Sequence, residues 1–98
     1  MYSTLISFRE IRMRIAFLEF SNADQTEIDI LKYSLKKLDD FINRQSEDIQ
    51  VILKGRYYEN RSFKDISLEL GYSYNRVVKM HGTFIKALKI AESKHRKG

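Results

Sequence analysis

The 98-residue chain has no cysteine, no proline and only four glycines. The lack of cysteine excludes disulfide scaffolds, thiolate zinc sites and cysteine nucleophiles. The lack of proline, with so little glycine, points to helices joined by short turns. Long apolar runs are missing too. The longest, residues 15–18, is far short of the roughly 20 residues a membrane span needs. The first nine residues lack the basic flank and apolar stretch of a secretory signal. Only two histidines occur, His81 and His95, and neither has a partner at metal-ligand spacing. The Asp39–Asp40 pair has no calcium-loop pattern around it, and no glycine-rich phosphate loop is present. No enzyme, no metal and no cofactor are expected.

What remains is a composition that folds. Hydrophobic residues make up 43% and charged residues 32%, enough for one small domain. The charge is unevenly placed. Residues 1–45 carry seven basic and seven acidic side chains, whereas residues 46–98 carry eleven and six, and so hold the whole net charge of +5. A basic half joined to a neutral half is the electrostatic footprint of nucleic-acid binding. The eleven isoleucines and ten lysines against four alanines suggest an AT-rich coding genome.

Apolar periodicity divides the chain into four or five helices, with no strand. Residues 4–20 place Phe8, Ile11, Ile15 and Leu18 on one face, with Arg9, Arg12 and Arg14 toward solvent. After a break at 21–24, Asp24 and Glu27 have the spacing of a capping box, opening a helix to about Arg44. Its Ile28, Leu31, Leu35, Leu38 and Ile42 form a heptad seam of just over two repeats. That seam closes either an antiparallel hairpin of the first two helices or a homodimer through residues 5–44. Ser46, followed by Glu47 and Asp48, starts a third helix. Gly55 inside it costs about 1 kcal/mol relative to alanine and marks either a close helix approach or a bend. Ser62 and Asp65 cap a short helix ending at Leu70–Gly71, and Ser73 caps a long final one to about Ser93. Residues 94–98 are expected to be a frayed basic tail.

Residues 62–80 carry the functional signal. A helix-turn-helix needs two short helices at a steep angle around a tight turn containing glycine. Gly71 supplies the turn. Ile66, Leu70, Tyr72, Val77 and Met80 fill the five inward apolar positions, and Ser67 sits where the helices must approach. The positions between are polar apart from Leu68 and Val78. A plain helical hairpin with glycine at its C-cap is the structural alternative.

Residues 46–90 resemble region 4 of bacterial sigma factors. Ile52-Leu-Lys-Gly-Arg-Tyr57 is similar to its "VLxLRF" helix, residues 62–78 to its "SLxEIAxxLGVSxxxV" stretch, and 84–88 to its trailing "ALxxL". Gly55 replaces the usual leucine, and Tyr74, Asn75 and Val78 stand where the main sigma factors place charged or polar base readers. There is no room for a promoter-melting region, and a standard −35 element is not the expected site. In size and layout the chain is similar to small phage late-gene activators of the ArpU, RinA and Xpf kind.

The resemblance implies an all-α protein: an N-terminal helical hairpin at 1–45, then a sigma region 4-like helix-turn-helix with a long recognition helix at 46–98. It implies a sequence-specific transcription regulator in the cytoplasm of a bacterial host, with double-stranded DNA as partner and RNA polymerase as a second one. The alternatives are a polymerase-binding adaptor or inhibitor that does not read DNA, or a DNA-packaging subunit. The second helix of such a motif enters the major groove by its N-terminal end. Ser73, Tyr74, Asn75, Val78 and Lys79 are therefore the candidate base readers. Asn75 suits an adenine edge, Lys79 guanine acceptors and Val78 a thymine methyl. Arg76, Arg61 and Lys64 are candidate phosphate contacts.

Overall fold

A computed structural model describes residues 1–22 and 24–95. The molecule is all-helical. Its elements are α1 (Tyr2–Ile6), α2 (Phe8–Phe20), α3 (Gln25–Asn43), α4 (Glu47–Leu53), a π-helical turn (Lys54–Tyr58), α5 (Phe63–Leu70) and α6 (Tyr74–His95). Among the described residues no helix is long and apolar enough to cross a membrane. The expected tail at 94–98 lies mostly outside the described residues.

Helix starts follow local chemistry. Asp24 accepts from the Thr26 amide, Ser46 from Ile49, Ser62 from Asp65 and Ser73 from Arg76. Each supplies an acceptor to an amide that the helix itself leaves unpaired. The expected capping box at Asp24 is only half used. Glu27 turns its carboxylate to Arg14 on α2, at 3.0 Å, instead of reaching back.

The first helix differs from the expected single element at 4–20. It begins at Tyr2 and breaks at Ser7, whose ψ of 9° opens the turn. The break swings α1 onto α6, so that Tyr2 lies 4.6 Å beneath the Lys89 ammonium. Leu5 and Phe8 are buried with Leu38 and Ile42 of α3, Leu53 of α4 and Ile85 of α6. Ile15 and Leu18 meet Ile28 at the other end of the helix pair. The contacts therefore run in opposite senses along α2 and α3. The heptad seam is used inside the chain: Ile28, Leu38 and Ile42 are buried there.

The largest cluster draws on both sides of residue 45. Phe8 stacks on Tyr58 with centroids 3.9 Å apart, and Phe41 meets Phe84 at 6.1 Å. The Tyr58 hydroxyl donates to Asp39 at 3.3 Å. Burial first, and then the Asp39 carboxylate, push that phenol well above its usual range.

Gly55 is both a close approach and a bend. It is buried, and a Cβ on it would lie 3.0 Å from Ile66 Cγ1 and 3.1 Å from Cδ1. Ile66 is wholly buried against Ile52 and Val77, so it has little room to move. The helix ladder also widens here. The Glu59 amide reaches back to the Lys54 carbonyl, and the Arg61 amide to that of Gly55 at 2.8 Å. The wide turn closes at Asn60, whose φ of 55° is left-handed and tolerable for asparagine.

Candidate nucleic-acid interface

α5 and α6 are joined by residues 71–73. The tight exit from α5 needs a left-handed residue, and Gly71 provides it at φ 73°, ψ 23°. The Gly71 and Tyr72 amides both donate to the Ser67 carbonyl, at 2.9 and 3.2 Å. Ser67 is buried, and its hydroxyl is satisfied by the Lys64 carbonyl at 2.7 Å. A small polar side chain therefore sits at the crossing without an orphaned donor. Ile66, Leu70, Tyr72, Val77 and Met80 all join one cluster with Ile52 of α4. The Tyr72 hydroxyl bonds Asp48 at 2.5 Å and so ties the turn to the start of α4. That bond, more than burial, raises the phenol's pKa.

With Val77 buried, the first turns of α6 turn other side chains outward. Ser73, Tyr74, Asn75 and Lys79 are exposed, and Val78 is half-buried. Tyr74, Asn75, Val78 and Lys79 follow the i, i+1, i+4, i+5 spacing of one helix face. Asn75 and Lys79 make no side-chain hydrogen bond or ion pair among the described residues. Polar groups left in water in the first turns of a helix suit an anionic, hydrogen-bonding ligand.

The candidate phosphate residues divide. Lys64 is exposed in the first turn of α5, with no ion-pair partner among the described residues. Arg61 is engaged within the protein, by the Glu69 carboxylate and, at 3.2 Å, by the Asp65 carbonyl. Glu59 lies 3.7 Å away. The guanidinium thus braces the loop against α5. Arg76 lays its guanidinium 3.9 Å over the Tyr72 ring. It stands on the flank of α6 away from Val78.

Three further features adjoin this face. An open groove of about 510 Å³ runs between α4 and α6, lined by Ile49, Met80, Thr83, Phe84 and Ala87 and edged by Arg76 and Lys79. Its sequence signal is the spacing of Met80, Phe84 and Ala87 at i, i+4 and i+7. Leu68 is 73% exposed on α5, an apolar side chain at a solvent position. His81 Nε2 lies 2.7 Å from the Tyr57 hydroxyl, and its ring meets that of Phe63 in a T-shaped contact with centroids 4.9 Å apart. Arg56 covers Phe63 at 5.0 Å.

Burial, and secondarily the Arg56 charge, hold the His81 pKa below its usual value. The unfolded chain therefore binds this proton more readily than the folded one. Stability is expected to fall as pH drops through the ordinary histidine range, about 6.5, toward the lower folded value. Thermal melts between pH 8 and 5 check this, and His81→Gln should flatten that part of the profile.

No protein-family model, curated protein or solved structure matches the chain.

Proposed function

We propose that the protein is a sequence-specific DNA-binding transcription regulator whose α5–α6 unit acts as a helix-turn-helix. One observation carries the reading: Val77 is buried while Tyr74, Asn75 and Lys79 stand free in the first turns of a 22-residue helix. That is the disposition a recognition helix needs, apolar toward its partner helix and hydrogen-bonding toward the groove. The surplus of basic residues in the same half supports it, because phosphate neutralisation supplies most of the non-specific affinity for DNA. On this reading Lys64 meets phosphate, Asn75 and Lys79 reach base edges, and Tyr74 and Val78 give apolar contact beside them. The similarity to sigma region 4 and to small phage activators makes a mobile-element activator the specific form proposed.

A second reading is favoured by the apolar groove of Ile49, Met80, Phe84 and Ala87. There the chain is an adaptor that binds RNA polymerase and reads no DNA.

Selection of bound duplexes from a random pool at two salt concentrations separates the two readings. Enrichment of one sequence that survives the higher salt supports base readout. Sequence-blind binding that collapses with salt means phosphate contact alone. That result, or no binding, overturns the proposal in favour of the adaptor.

A further inference from the structure

Among the described residues the outer face of α2 is left uncovered. Arg14 and Glu19 point toward α3, where they pair with Glu27 and Lys32, both at 3.0 Å. The side away from α3 carries Met13, Phe17 and Phe20, which are 72%, 60% and 92% exposed. Apolar side chains grouped this way on a surface helix mark an interaction site.

The face is self-complementary. Arg9, Arg12, Met13 and Ala16 have the i, i+3, i+4, i+7 spacing of a coiled-coil hole, and they line one open groove with Tyr58. Phe20 is a knob two turns further along the same helix. Arg9, Met13, Ala16 and Phe20 fall within about 60° of one another around α2. If two α2 helices cross antiparallel near Ala16, each Phe20 enters the other's hole. Ala16 then lies at the two-fold axis, where its small side chain allows axes about 8 Å apart, and Phe17 flanks the contact. The groove is edged by Arg9 and Arg12, and their guanidiniums offer cations to the face of an incoming Phe20 ring.

We infer that a second copy of this chain docks on the outer face of α2, forming a two-fold dimer about Ala16 through Met13, Phe17 and Phe20. The heptad seam of α3 takes no part, because it is buried within each chain. The inference is independent of the DNA reading, and its test contains no DNA.

Light scattering at tens of micromolar is expected to give twice the 11.7 kDa chain mass. Phe20→Lys, which sets an ammonium against Arg9 and Arg12 of the partner, should return it to the single-chain mass with helix content kept, since this side chain is almost wholly outside the monomer core. Ile30→Asp, on the exposed side of α3, should leave the dimer intact. The chain has no cysteine, so an introduced one reports directly. Ala16→Cys should form an intermolecular disulfide under mild oxidation, and Tyr33→Cys should not. A wild-type monomer at that concentration overturns the inference, as does a dimer that survives Phe20→Lys or one that cross-links through Tyr33→Cys in preference to Ala16→Cys. If Phe20→Lys loses helix, the cross-linking pair decides alone.

Discussion

Ile66→Ala is expected to cost about 2–5 kcal/mol of folding stability. The side chain is wholly buried between Ile52 and Val77, and it fills the space that Gly55 leaves. The same contact makes a sharper expectation for Gly55→Ala. In the native background the added Cβ overpacks against Ile66, at about 1–3 kcal/mol. That exceeds the roughly 1 kcal/mol gained in helix propensity, so the substitution destabilises. In the Ile66→Ala background both offending carbons, Cγ1 and Cδ1, are gone. Gly55→Ala should then be neutral or stabilising. Urea unfolding of the four proteins measures the cycle, with m constant across them if the chain stays two-state. Additive effects would mean that the close approach of the π-helical turn to α5 is not the reason for glycine.

Lys79→Ala and Asn75→Ala are each expected to lose about 1–3 kcal/mol on the selected duplex, roughly five- to more than a hundredfold in affinity, with little change on random DNA. Lys64→Ala should weaken all duplexes alike and reduce the salt slope by about 1. Arg61→Ala is a useful contrast. Its guanidinium is held by Glu69 and the Asp65 carbonyl, so its loss should appear in the melting temperature before it appears in sequence preference. Fluorescence anisotropy on matched and scrambled duplexes at two salt concentrations reads all four variants. Equal losses on both duplexes for Lys79→Ala would confine that residue to phosphate. Unchanged affinity everywhere would remove it from the interface.

The inward positions around Gly71 are legible in the sequence. Ile66, Leu70, Tyr72, Val77 and Met80 follow the helical period, and the exposed set at Tyr74, Asn75 and Lys79 follows from it, because burying one side of a helix exposes the other. The fates of the arginines are not legible there. Arg61 and Arg76 have the same sequence character as any solvated cation. Their engagement depends on where Glu69 and the Tyr72 ring come to lie. The break at Ser7 escapes periodicity for a similar reason: nothing local forbids a continuous helix there, and the opening follows α1 onto α6.

The sequence by itself determined where most helices start and stop and which stripe each one buries. Asp24, Ser46, Ser62, Ser73 and Gly71 act on amides and carbonyls within about one helical turn, so their effect is settled along the chain. Tertiary structure alone decided the rest. It closed the α3 seam against α1 and α2, set Gly55 on Ile66, paired Tyr57 with His81 across 24 positions and merged the two halves around Leu5, Phe8, Leu53 and Ile85. These contacts join residues whose spacing carries no period. Their energies come from burial and close packing, and those exist only once the elements have met.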